Sequence, residues 1–431
     1  MATSCTTSTR GARRRRGAAL LGAAISIVAA TTIAQHLGSD SGILDGRVEA
    51  KIRTQDPNAI EAAFPHEAYR PGTTATLRFW TAARDVSLQI FRVGPERTRT
   101  VGNDQMQGVP MTAPRRLPAV RSGSRLSVRV GDWPSGLYFV KLTTDEKRGY
   151  ATFFVRPRRL GENRVAVVLP TRTWQAYNFR SADTWYSDAR DNTVVLGRPF
   201  LNRGVPFRFR AYDLYFLNWL HRTGKRVDVL SQSELELRRD PGALRRAYDM
   251  IVFPGHHEYV TDAEYDAVES FRDRGGSLMF LSANNFFWRV DIRGNVMTRV
   301  RKWRELGRPE AALIGVQYIG NDDGEARGAW IVQPQQRRSW LFDGIRLKDG
   351  VRFSNGGIEI DAMSPSSPRG TQLVAQIPNL LGPGMTGHMT YYRSQDGAQV
   401  FAAGAFTLAG AIRQPSVARL IDNMWVRFTA R

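Results

Sequence analysis

Cysteine is nearly absent from this 431-residue chain, and Cys5, the single one, precedes the first apolar run. That excludes an internal disulfide, and it excludes a cysteine nucleophile from the folded part. Lysine is also scarce, although the formal net charge is +21. Arginine carries that charge, and it is scattered. No helix-turn-helix, RRM or zinc-finger pattern gathers it into a patch with interleaved aromatics, so the expectation is no nucleic acid partner. A dispersed positive surface fits adhesion to an anionic cell envelope instead. No internal repeat of solenoid or propeller type is present.

Long apolar runs are missing too, with one exception. Arg13 to Arg16 precede an apolar stretch from Gly17 to Ala34. A basic segment followed by an apolar one directs export. Thr32-Ile33-Ala34 is a small-x-small cleavage site, while the run also reaches the lower limit of a membrane span. Residues 1–38 therefore read as a signal peptide or a membrane anchor. The protein is expected outside the cytoplasm, secreted or held at the membrane by its N-terminus.

Residues 39–66 read as a linker. Residues 67–158 then show short runs such as "TTATLRFWT" and "GLYFVKLTTD", separated by Gly, Pro and Asp turns. That pattern predicts an immunoglobulin-like β-sandwich. From residue 161 to 431 the character changes. "RVAVVLPT", "RVDVLS", "DMIVFPG" and "SLMFLSAN" are continuous apolar strands that alternate with helical patterns, including "DLYFLNWLHRTG" and a helix capped by Asp262. Apolar strands alternating with helices predict a parallel α/β sheet covered on both faces. The chain is thus expected to be multidomain.

Ligands of such sheets bind beyond the carboxyl ends of the strands. One strand end reads Gly255-His256-His257-Glu258-Tyr259, which spends two of the chain's six histidines. Another runs from Pro170 to Tyr177 and Asn178, and a third carries Asn284 and Asn285. Glu258 can ligate a metal or act as a base, and the histidines can ligate, orient or move protons. In an extended turn His256 and Glu258 point one way and His257 the other. Tyr177 offers a phenolate suited to a hard trivalent cation. Asn284 can donate to an oxyanion. Each also has a plain role: the turn can cap the next helix, Tyr177 can pack with Trp174 and Trp185, and the asparagines can cap a helix. Residue types alone admit iron, zinc or no metal.

"LPTRTWQAYN", "YDLYFLNWLHRTGKRVDVLSQSEL", "YDMIVFPGHHEYVT" and "GGSLMFLSANNFFWRV", in this order, resemble the C-terminal domain of N,N-dimethylformamidase large (beta) subunits. The resemblance covers about residues 164 to 406. It implies a glutamine-amidotransferase-like, flavodoxin-like fold and hydrolysis of a small amide, a carbon–nitrogen bond other than a peptide bond. It also implies a mononuclear iron (Fe3+) held by two tyrosines and a glutamate. Glu258 and Tyr177 fall on two of those ligands. Tyr138, in Ser-Gly-Leu-Tyr, is the preferred second tyrosine and Tyr212 its rival. His256 falls on a supporting histidine and Asn284 on an asparagine on the substrate side. Relatives carry a glutamate after the tyrosine pair that here reads Tyr391-Tyr392-Arg393, which weakens the expectation of amide hydrolysis. The competing expectation is a non-catalytic envelope protein that binds a small ligand or glycan. The partners expected are a small molecule and the cell envelope, with room for a homo-oligomer.

Overall fold

The computed structural model describes residues 56–96, 100–182, 184–186, 192–236, 240, 242–322 and 326–430. The targeting segment and most of the expected linker lie outside them. Among the described residues no helix is long and apolar enough to cross a membrane.

The N-terminal part is β-rich and holds two sheets. One pairs Ala62–Ala63, Thr74–Phe79 and Arg125–Arg129. The other is six-stranded and has Gly136–Thr143 between Ala83–Arg92 and Arg148–Val155. Alternation drives the first sheet, where Ala75, Leu77 and Phe79 turn inward while Thr74 and Arg78 face solvent. These residues share a core with Val86, Ile90, Tyr138, Val140 and Phe153 of the second sheet. Ile60 is fully buried in the same core, so the structured part begins inside the stretch read as a linker.

Strand Gly136–Thr143 is buried on both faces. Its even residues Tyr138, Val140 and Leu142 enter the sandwich core. Its odd residues Leu137 and Phe139 enter a different core, shared with Trp174, Leu214 and Val229 of the α/β part. Ser135 rivets the two parts together. Its hydroxyl donates to Val229 O at 3.0 Å and accepts from Val229 N at 2.8 Å.

The α/β part is built on an eleven-stranded mixed sheet. Five neighbouring strands are parallel, in the order Asp228–Ser231, Val165–Leu169, Met250–Phe253, Ser277–Phe280 and Gln399–Ala402. Four of these strands are buried at every residue, as strands covered on both faces must be. Numbered by chain position the order is 2-1-3-4-5, which has its topological switch point between Val165–Leu169 and Met250–Phe253. Beyond the fifth strand the sheet continues antiparallel through Gly387–Arg393, Gln372–Ile377, Arg327–Val332 and Arg352–Ala362. The late segments of the chain thus extend the same sheet.

Helix Asp262–Asp273 is capped by Thr261, not by Asp262. The Thr261 hydroxyl accepts from Glu264 N at 3.3 Å. Gly275 follows at φ 83°, a left-handed conformation that stops the helix at little steric cost.

Candidate functional site

Two strand-end loops flank the switch point and carry most of the candidate residues. After Leu169 the chain turns at Pro170 into the short helix Thr171–Ala176, which delivers Tyr177. After Phe253 it runs through Pro254 and Gly255 to Glu258. The loops are laced together, since Glu258 N donates to Thr173 Oγ1 at 3.2 Å. A third loop leaves Phe280 and is bound to the second by backbone hydrogen bonds from Phe286 to His257 O and from Phe287 and Trp288 to Glu258 O. Within it Asn284 and Phe286 adopt φ of 52° and 57°. Asparagine tolerates that conformation, but a bulky phenylalanine does not adopt it without strain.

The second loop points its side chains both ways. His256 and Glu258 share one side, with Nε2 3.5 Å from Glu258 Oε2. His257 turns inward beneath them, its ring nitrogens at 3.1 Å from Gly255 O and 3.0 Å from Val168 O. It serves the loop and not the site.

Glu258 is the hub. Its Oε2 accepts from Tyr177 Oη at 3.0 Å and from Tyr186 Oη at 3.3 Å. The Tyr186 and Tyr259 hydroxyls are 2.5 Å apart. Tyr177 is stacked between Tyr186 and Phe207, with ring centroids 4.1 and 5.2 Å away. Burial pushes Glu258 up to about 7, against the opposing effect of the surrounding phenols. The same burial and the charge of Glu258 raise Tyr177 and Tyr186 far above the ordinary phenol range. Glu258 is therefore held by neutral phenols that donate to it.

A second carboxylate closes the cluster. Glu359, from strand Arg352–Ala362, places Oε2 3.6 Å from His256 Nε2. Burial first, and then the charge of Glu258, raise it well above the carboxylate range, while a hydrogen bond from the Asn284 side chain opposes the shift. Asp361, two residues on, accepts from Asn284 N at 2.9 Å and fixes that loop. Burial drives His256 down to about 3, so it is neutral at pH 7. Its ring packs edge-on against Phe406 at 4.7 Å. His256 Nε2, Asn284 Oδ1 and Glu359 Oε2 are all buried without a hydrogen-bond partner. Buried polar atoms are rarely left so, and three in one cluster mark a place built for another group.

The structure thus brings together Tyr177, His256, Glu258 and Asn284. It does not bring Tyr138 to them. Period-two alternation turns Tyr138 into the sandwich core, where its hydroxyl donates to Pro134 O at 2.8 Å and its ring stacks on Trp133. Tyr212, the rival, lies behind Phe406, with ring centroids 5.3 Å apart. Tyr186 is the second phenol that donates to Glu258. Glu359, missed in the sequence as Tyr186 was, has a signal there: it alternates with Asp361 in the otherwise apolar "GIEIDAM". Arg393 is exposed at the end of its strand, and the two tyrosines before it bond to Gln399 and to Leu313 O. The late pair is no part of this cluster. Among the described residues no three His, Cys, Asp or Glu side chains form a metal-type group. The oxygens gathered here are the phenols of Tyr177, Tyr186 and Tyr259 and the carboxylates of Glu258 and Glu359.

Residues 124–419 match the family described as N,N-dimethylformamidase beta subunit-like, C-terminal. The chain belongs to that family. Over 282 residues it is 26% identical to the N,N-dimethylformamidase beta subunit of Paracoccus aminophilus, covering 50% of this chain and 36% of that protein. Over 262 residues it is 27% identical to the beta subunit of the same name from an Alcaligenes species, covering 46% and 34%. The match thus spans about a third of the length of these curated relatives. An uncharacterized protein from Bacillus anthracis str. Ames aligns over 25% of this chain and 89% of its own at 12% identity. Its TM-score of 0.17 is too slight a likeness to bear on the fold.

Proposed function

We propose that this dimethylformamidase-like protein hydrolyses the carbon–nitrogen bond of a small amide at an iron site formed by Tyr177, Tyr186 and Glu258. The supporting observation is the cluster itself: two phenols share one carboxylate oxygen beside three unpartnered buried polar atoms. Anionic oxygens suit a hard trivalent cation. A ferric ion there would supply Lewis acidity toward an amide carbonyl and water.

The chain's own residues divide the remaining work. Glu359 is the general base. As the carboxylate, its Oε2 takes a proton from the attacking water and returns it to the departing nitrogen. Asn284 holds that carboxylate in place. His256, neutral, lies between the two carboxylates, with Nε2 3.5 Å from Glu258 Oε2 and 3.6 Å from Glu359 Oε2. Phe207 and Phe406 wall the cluster and keep its dielectric low. With Glu359 as the carboxylate, Arg393 does not weaken the reading.

We read the two-sheet N-terminal part as immunoglobulin-like and the α/β part as glutamine-amidotransferase-like. We place the protein outside the cytoplasm on the strength of its N-terminal segment.

The deciding experiment measures iron content and the visible spectrum of the full chain, purified without chelator. Wild type, Tyr177→Phe, Tyr186→Phe and Tyr138→Phe are compared. The expected result is near-stoichiometric iron and a phenolate-to-iron charge-transfer band that weakens in the first two variants and not in the third. Hydrolysis of small formamides and acetamides, lost in Glu258→Gln, completes the test. A colourless protein that takes up no iron overturns the reading and leaves a non-catalytic binding protein.

A further inference from the structure

A second cavity of the described residues lies apart from the tyrosine–carboxylate cluster. It is a cleft of about 990 Å³ between the sandwich and the α/β part. The helix Thr171–Ala176 separates the two places, because it presents Gln175 to the cleft and carries Tyr177 into the cluster. Clefts of this size at domain junctions are favoured ligand sites.

Its lining is strongly cationic, with seven arginines against three glutamates and no aspartate. Three of the arginines are engaged elsewhere. Arg172 is paired with Glu264 and Glu236, Arg158 with Asp132, and Arg198 donates to backbone carbonyls. The other four, Arg70, Arg78, Arg156 and Arg159, form no ion pair with a described carboxylate. They come from three segments on the sandwich side, Arg70, Arg78 and the neighbouring pair Arg156 and Arg159.

The opposite wall is polar and unsatisfied. Gln175 is nine-tenths buried, and its Oε1 has no hydrogen-bond partner. Glu234 Oε1 is also buried without one, while Glu234 Oε2 accepts from Ser231 N at 3.1 Å. Guanidinium groups match carboxylates through paired hydrogen bonds. Orphaned acceptors ask for hydroxyl or amide donors. A single small anion would not supply the donors that these acceptors ask for.

We propose that this cleft binds an acidic saccharide, with sugar carboxylates on Arg70, Arg78, Arg156 and Arg159 and sugar hydroxyls on Gln175 and Glu234. Several linked rings fit its volume, and alternating carboxylates and hydroxyls fit its two walls. The assignment is independent of the iron chemistry.

The test is calorimetric titration of the full chain at physiological salt with trigalacturonate, with maltotriose as the neutral trisaccharide, and with inorganic phosphate. Trigalacturonate is expected to saturate one site, maltotriose to give no heat, and phosphate not to displace trigalacturonate. Arg70→Ala with Arg156→Ala should weaken binding by at least about tenfold, and Gln175→Leu by several-fold. The net charge of +21 attracts any anion, so a charge-matched control is needed. Arg115→Ala with Arg116→Ala, on exposed residues outside the cleft, should leave binding unchanged. An unchanged thermal midpoint for each variant shows that folding is intact. Equal weakening by both arginine pairs overturns the proposal, as does displacement by phosphate with no effect of Gln175→Leu. Absence of trigalacturonate binding overturns it outright.

Discussion

Replacing Asp213 by asparagine should flatten part of the pH dependence of stability. Asp213 is completely buried beneath the two strand-end loops. Its Oδ2 accepts from Trp174 Nε1 at 3.3 Å, and its Oδ1 has no partner. No cation compensates, so burial pushes the carboxyl from 3.8 up to about 8. The sign follows from proton counting. Between about pH 4 and 8 the unfolded chain has released this proton and the folded chain still holds it, so the unfolded state binds fewer protons. Stability then falls as pH rises, by about 1.4 kcal/mol per unit for one group. From pH 5 to 7 wild type should lose about 3 kcal/mol through Asp213 alone. Asparagine has nearly the shape of the neutral acid and no proton to lose. Glu264 and Asp361 are also pushed up to about 7 by burial, but both proteins keep them, so they cancel in the difference. Urea unfolding at pH 5, 6 and 7, followed by tryptophan fluorescence, measures that difference. One transition is expected, because the sandwich and the α/β part share a core. Asp213→Asn should gain on wild type by about 3 kcal/mol across the window. A constant difference would mean that Asp213 is ionised in the native state and would refute the reasoning.

Gly255→Ala should damage the site without touching a candidate ligand. The new Cβ would lie 2.3 Å from Asp213 Oδ1 and 3.0 Å from Pro170 Cγ, so the turn carrying His256 and Glu258 must move. A stability loss of about 1–3 kcal/mol is expected by urea unfolding, together with reduced iron content. Arg172→Met leaves the fully buried Glu264 without its cation and should cost about 3–5 kcal/mol. Adding Glu264→Gln should recover part of that loss in the same assay. Arg393→Ala should change stability by less than about 0.5 kcal/mol and leave any visible band intact, because the residue is exposed and outside the cluster.

The parallel half of the sheet was legible because its strands are uninterrupted apolar runs. "VAVVL" and "MIVF" have no polar face and therefore fit a sheet covered on both sides. The strand order was not. The fifth parallel strand, Gln399–Ala402, follows the fourth only after a long excursion through antiparallel strands that extend the same sheet. Nothing local in "QVFA" says that it returns beside Ser277–Phe280. The cap of helix Asp262–Asp273 was misplaced by one residue for a simple reason: Thr261 and Asp262 are both good caps, and only backbone geometry decides between them.

The site divides along the same line. His256, Glu258, Tyr177 and Asn284 stand where apolar strands stop, and strand ends are visible in a sequence. Tyr186 stands in a loop without period, so nothing in its neighbours places it. Glu359 is marked by its alternation with Asp361, but its strand lies in the antiparallel extension, whose place in the sheet nothing local gives. Tyr138 shows the sharper limit. In a strand with a polar face, alternation tells which residues point to the core. "GLYFVKL" is apolar on both faces, because one face closes the sandwich and the other packs on the α/β part. Its parity separates Leu137 and Phe139 from Tyr138 and Val140, but it cannot say which set meets which core. That assignment depends on the partner strands. The hydroxyl of Tyr138 then settles on Pro134 O, on the sandwich side, and the second phenol beside Glu258 is supplied by Tyr186.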